Sequence, residues 1–150
     1  MASSRRIAPP RWLKPMNKTL MFLQRFGVMK ELPVLIVPGR KSGKPRRTPL
    51  TVVEHEGRRY LLEGFPGADW ARNVRAADGL AQMSLGGEVT AVRLTELPAE
   101  EAVPVLRAWP SLAGSDGPKL MKEAGVVDDV TPEAFAAVAG KCGVFRIDPR

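Results

Sequence analysis

The chain has 150 residues, 23 Lys plus Arg against 16 Asp plus Glu, and a formal net charge of +7. That length sets one domain as the prior, and hydrophobic residues at 44% argue against a disordered chain. A lone cysteine (Cys142) excludes an intramolecular disulfide, a lone histidine (His55) leaves too few ligands for an ordinary structural zinc site, and no apolar run reaches the ~20 residues of a membrane span. These features fit a reducing, cytoplasmic setting.

Residues 1–12 are polar, basic and broken by Pro9 and Pro10, which reads as a loose arm. From Pro15 to Lys30 the apolar residues Met16, Leu20, Leu23 and Phe26 recur at helical spacing among Lys18, Arg25 and Lys30. This basic amphipathic helix would either pack on the protein or rest at the inner face of an anionic membrane. The expected organisation is an arm and helix over residues 1–28, then a single domain over 29–150. Leu32 to Val37 is a brief apolar run and predicts a buried strand. The segment from Pro38 to Pro49 is basic and turn-rich and reads as a loop. Leu50 to Glu54 and Tyr60 to Leu62 are strand-like on either side of a polar turn. Ala68 to Ala77 has helix-forming composition, with Asp69 in its first turn. Leu80 to Leu85 and Val89 to Leu97 flank Gly86-Gly87, a hairpin signal. Pro98 suits the first position of a helix, and Thr131 suits the cap of a helix from Pro132 to Ala139. A further helix is expected from Lys119 to Ala124, and a last strand from Val144 to Ile147. About six short strands interrupted by helices, without β-α-β alternation, predict a mainly β, α+β protein: a small antiparallel barrel with peripheral helices.

Charge is unevenly placed. Residues 1–50 hold 12 Lys/Arg and one acid, Glu31, whereas residues 51–150 hold 11 Lys/Arg and 15 acids. Such an asymmetry points to an anionic partner. Its densest part is the stretch from Arg40 to Arg47, with five cations in eight residues and glycines at 39 and 43. Glycine lets the main chain approach an anion, and arginine offers a fork to paired oxygens. It is not a Walker A loop, because Pro45 stands where a hydroxyl must meet magnesium. Nucleic acid is not expected, since aromatic residues are sparse at 6% and no basic helix or aromatic stripe resembles a known reading module. His55 sits in a polar turn, Cys142 reads as a packed residue, and the carboxylate pairs lie at helix starts or in loops. No self-sufficient acid–base, nucleophile or metal site emerges, so an enzyme of this sequence would leave the chemistry to a cofactor.

Three pieces, PGRKSGKPRRTPL (38–50), YLLEGFPGADW (60–70) and WARNVRAADG (70–79), resemble the deazaflavin-dependent nitroreductase family over roughly residues 30 to 97. The resemblance implies a split β-barrel like that of FMN-binding proteins, with coenzyme F420 as electron donor and FMN or FAD as alternatives. It places Arg40, Lys41, Ser42 and Arg46 at the phosphate and acidic tail, and Thr48, Pro49 and Leu50 along the deazaflavin ring. Gly64 and Phe65 fall in a loop near the phosphate, and Trp70 and Asn73 on a helix closing the cofactor groove. Thr51 stands where the family carries a ring-side tyrosine, and Trp109 and Leu112 where tyrosines gather near the substrate, which makes these three the implied acceptor-side residues. The implied reaction is hydride transfer to a quinone, nitro or activated-alkene acceptor, by a monomer or homodimer. A split-barrel carrier of flavin, haem or fatty acid is the non-enzymatic alternative, and a basic nucleic-acid-binding protein a more distant one.

Overall fold

The computed structural model describes residues 33–150, so the expected arm and helix over residues 1–28 lie outside the described residues. In chain order the elements are β1 (Val34–Pro38), β2 (Pro45–Pro49), β3 (Val53–His55), β4 (Arg58–Leu62), α1 (Asp69–Ala76), β5 (Leu80–Leu85), β6 (Glu88–Glu96), α2 (Ala99–Leu112), α3 (Asp116–Glu123), α4 (Pro132–Ala136) and β7 (Val144–Pro149). The protein is mainly β, and its strands follow the sheet order β2-β1-β5-β6-β7-β4-β3. By contact density the described residues divide into two compact units. One comprises Val52–Ala68 and Glu96–Arg146, and the other residues 33–51, Asp69–Thr95 and Ile147–Arg150.

In the first unit, Glu56 and Gly57 turn the β3–β4 hairpin with φ of 50° and 80°. Helix α2 then buries Ala102, Val105, Leu106 and Trp109, the repeat of one helical face. These pack with Tyr60, Leu62, Met121, Phe135, Cys142 and Val144 in one apolar cluster. Pro98, expected as the first helical residue, instead takes the N-cap position without a side-chain cap bond, and α2 starts at Ala99. Thr131 caps α4 as its sequence position predicts, its hydroxyl oxygen accepting from the Ala134 N–H at 3.1 Å. Burial pushes the Cys142 thiol up to about 12, with the nearby Glu63 charge acting in the same direction.

The first unit also holds one buried acid. Glu63, 2% exposed, follows β4. Its two carboxylate oxygens accept from the Gly67 N–H at 2.8 Å and the Gly143 N–H at 3.2 Å. Its own N–H donates to the Gly143 carbonyl at 2.8 Å. One side chain thus ties both ends of the 63–67 loop to the residue that precedes β7.

In the second unit, β1 is buried over Val34 to Val37 and lies between β2 and β5, antiparallel to both. Helix α1 covers β1 with a face of Trp70, Ala71, Asn73 and Val74, the last of these 1% exposed. Gly79 (φ +79°) ends the turn after α1 where β6 comes close: a Cβ there would strike the Leu94 carbonyl oxygen. Gly86 and Gly87, both at positive φ, turn the β5–β6 hairpin as expected.

Two expectations are corrected. Residues 45–49, read as loop, form strand β2, pairing Arg46 with Val37, Arg47 with Ile36 and Thr48 with Leu35. Their prolines stand at its two ends, and the strand is at the edge of the sheet, where missing N–H groups cost no ladder bond. Residues 50–52, read as strand, are not: the Leu50 N–H donates to the Pro33 carbonyl at 3.0 Å, and β3 starts at Val53.

Candidate functional site

The turn between β1 and β2 is held tight by its own backbone. The Gly39 N–H donates to the Lys44 carbonyl and the Gly43 N–H to the Gly39 carbonyl, each at 2.8 Å. Gly43 takes φ +74°, which favours glycine, and the Lys44 N–H donates to Ser42 Oγ at 3.1 Å. At Gly39 a Cβ would come within 3.2 Å of Ser42 Oγ and 3.3 Å of Arg46 Nε, so a side chain there would crowd the groups the turn gathers.

Beneath this turn lies a cavity of about 370 Å³. Its walls come from the β1–β2 turn, from β2 and from the first turns of α1: Gly39 to Ser42, Arg46 to Thr48, then Asp69, Trp70 and Asn73. Four cations and one acid face one another there. Among the described residues, Lys41, Arg46 and Arg47 have no acidic partner. Arg40 is bound differently. Its backbone N–H (3.0 Å) and its Nη1 (2.8 Å) donate to Asn73 Oδ1, and its Nη2 donates to Asp69 Oδ1 at 3.2 Å. Asn73 is 5% exposed, a polar residue on the otherwise apolar face of α1. Its carbonyl is satisfied by two donors, as a buried acceptor requires.

The cavity gathers Arg40, Lys41, Ser42, Arg46, Thr48, Trp70 and Asn73, seven of the residues singled out in the sequence. Pro49 ends β2 and Leu50 and Thr51 follow it, and none of the three lines the cavity. Gly64 and Phe65 belong to the first unit, Gly64 against the Met121 side chain and Phe65 against the apolar cluster. Trp109 and Leu112 share α2 but not their surroundings: Trp109 is buried in the cluster, while Leu112 is exposed. Sequence reasoning missed Arg47 and Asp69 as wall residues. Arg47 belonged to the same cationic run, but Asp69 carried no signal beyond its place in a helical first turn.

A mainly antiparallel sheet of seven strands with peripheral helices defines a split β-barrel-like fold. A pyridoxamine 5′-phosphate oxidase-related, FMN-binding protein from Nostoc punctiforme shares this fold at 12% identity, over 95% of this chain and 82% of its own, with a TM-score of 0.54. An F420-H2-dependent reductase (FDR-A) matches at 24% identity over 79% of this chain and 95% of its own, with a TM-score of 0.45. No protein of curated function matches the sequence. Residues 21–114 match the F420H(2)-dependent quinone reductase family, and the chain belongs to it. It is a deazaflavin-dependent oxidoreductase, and its cofactor is coenzyme F420.

The donor set fits that cofactor. A group bearing a phosphate and a carboxylate tail needs several cations that are not already neutralised, together with a hydroxyl. Lys41, Arg46, Arg47 and Ser42 supply them around one cavity.

Proposed function

We propose that the chain reduces quinones, and related nitro or activated-alkene acceptors, with the β1–β2 turn and α1 as its cofactor-holding site. The observation that carries this reading is the convergence of Lys41, Arg46 and Arg47 on one cavity, without acidic partners among the described residues. Like charges gathered at one cavity repel one another unless solvent or an anion screens them, and a multiply charged cofactor is an anion suited to that task.

When bound, reduced F420 supplies the hydride. The chain's part is to bind and orient. Lys41, Arg46 and Arg47 neutralise the phosphate and acidic tail, and the Ser42 hydroxyl offers a further contact. Thr48, Pro49 and Leu50 provide a largely apolar strip for the ring, and Trp70 an aromatic wall. The chain's contribution to rate is then to hold donor and acceptor together in a reactive geometry, with the hydride chemistry left to the cofactor.

The test is turnover. Reduced F420 mixed with the protein and menadione should lose its reduced-cofactor absorbance at a rate proportional to protein concentration, and a nitroaromatic panel ranks the acceptors. Tight F420 binding with no oxidation by any acceptor would make the protein a carrier instead.

A further inference from the structure

Two hydrogen bonds and the strand register fix which way each main-chain group of β2 points. The Leu50 N–H donates to the Pro33 carbonyl and the Gly39 N–H to the Lys44 carbonyl, so residues 33 with 50 and 39 with 44 are hydrogen-bonded pairs. Between them bonded and non-bonded pairs alternate along the antiparallel register. Leu35 with Thr48 and Val37 with Arg46 are therefore bonded pairs. Val34 with Pro49, Ile36 with Arg47 and Pro38 with Pro45 are not. In these the main-chain groups of β2 turn away from β1, toward the outer edge at which the sheet order ends. Proline holds positions 45 and 49 and has no N–H to offer. Arg47 is left with the one outward N–H of the strand, between two prolines that bar a further strand from pairing there.

This edge meets the cavity. A hollow on one face of a strand is lined by alternate residues, because successive side chains point to opposite faces. Arg46, Arg47 and Thr48 line this one in succession, as a strand does when it is met edge-on. The Arg47 N–H thus opens into the wall that carries Lys41 and Arg46, and it has no acceptor among the described residues.

We infer that the Arg47 main-chain N–H is a ligand-binding donor: it hydrogen-bonds a phosphate or carboxylate oxygen held in the cavity against the open edge of β2. This rests on the proposed use of the cavity and adds a fixed donor to its flexible cations. A guanidinium or ammonium on a long side chain loses rotamer freedom when it binds, whereas the N–H at 47 is already placed by ladder bonds on either side. It also supplies direction, since an N–H bonds along one line. Ionised phosphate and carboxylate oxygens only accept, and so suit it. The Pro-Arg-Arg-Thr-Pro sequence of β2 then closes the edge to other strands and keeps one donor for the ligand.

The test separates this N–H from its side chain. Arg47→Ala removes the guanidinium and retains the N–H, whereas Arg47→Pro removes both. Proline is tolerated at an edge position whose N–H faces outward. F420 titrated into the full chain, followed by cofactor fluorescence, should bind Arg47→Pro about tenfold more weakly than Arg47→Ala, the scale of one hydrogen bond to a charged group. In Arg47→Ala the amide proton at position 47, followed by heteronuclear NMR, should move downfield as F420 saturates the site. Equal affinities of the two variants overturn the inference. So does a weaker Arg47→Pro with an unmoved amide proton in Arg47→Ala, since the bulk of the ring then accounts for the loss. Should Arg47→Pro fail to fold, the amide proton decides alone. A wild type that does not bind F420 sinks the proposed use of the cavity, whereas F420 binding that leaves this proton unmoved sinks only the donor.

Discussion

Lys41 and Arg40 are neighbours in sequence with opposite tasks. Arg40 is committed to α1 through Asn73 and Asp69, whereas Lys41 and Arg46 have no acidic partner among the described residues. Truncating either of the latter two should therefore remove a charge-assisted contact to the cofactor without disturbing the turn. Lys41→Ala or Arg46→Ala is expected to weaken F420 binding by about 1–3 kcal/mol, read from cofactor fluorescence titrations. Unchanged affinity in both would take the turn out of the site. Cys142 makes a second prediction at this scale. Its thiol is 1% exposed and its folded value is raised from 9.0 to about 12. Below about pH 9 the thiol is protonated in both the folded and unfolded states, and its contribution is fully present. Above that the unfolded chain ionises while the folded one resists, so stability falls as pH rises toward about 12. Urea midpoints measured across this window should drop more steeply for wild type than for Cys142→Ala. Equal slopes would show that the thiol is not withheld from ionisation.

At the scale of elements, two glycine-containing loops are held by different means. The β1–β2 turn is fixed by its own main-chain bonds and by Arg40 reaching across to α1. The 63–67 loop depends on one side chain: Glu63 accepts from Gly67 and Gly143, 80 residues apart in the case of the latter pair. Glu63→Gln retains the volume but turns an amide donor toward one of those N–H groups, leaving it unsatisfied in a buried setting. A loss of about 1–3 kcal/mol in urea unfolding is expected. A neutral result would mean that solvent already reaches these groups.

For the whole molecule, binding and stability are one linked quantity. A ligand that binds only the folded chain at about a hundred times its Kd adds about 2.7 kcal/mol. For about 150 residues that corresponds to roughly 5–10 °C in Tm. F420 at that excess should raise the melting temperature by this amount, and Lys41→Ala should reduce the rise at fixed F420. A Tm that ignores F420 would contradict the site as proposed. Among the described residues no helix is long and apolar enough to cross a membrane.

What the sequence by itself determined is what depends on neighbours along the chain. The α2 face at 102, 105, 106 and 109, the Thr131 cap and the Gly86-Gly87 turn each need only a few consecutive residues. The cationic run was legible for the same reason: charge density is a property of composition, whatever the fold. Tertiary structure decided the rest. Residues 45–49 carry two prolines and two arginines and hold no strand signal, yet β1 offers an unpaired edge and the segment takes it. Asn73 was marked by the family resemblance as part of a helix closing the cofactor groove, and only the approach of Arg40 from 33 residues away turned its carbonyl into an anchor for the turn. Asp69 gained its meaning the same way. Those contacts join segments distant in sequence, and their free energy appears only once the core has brought the backbones together.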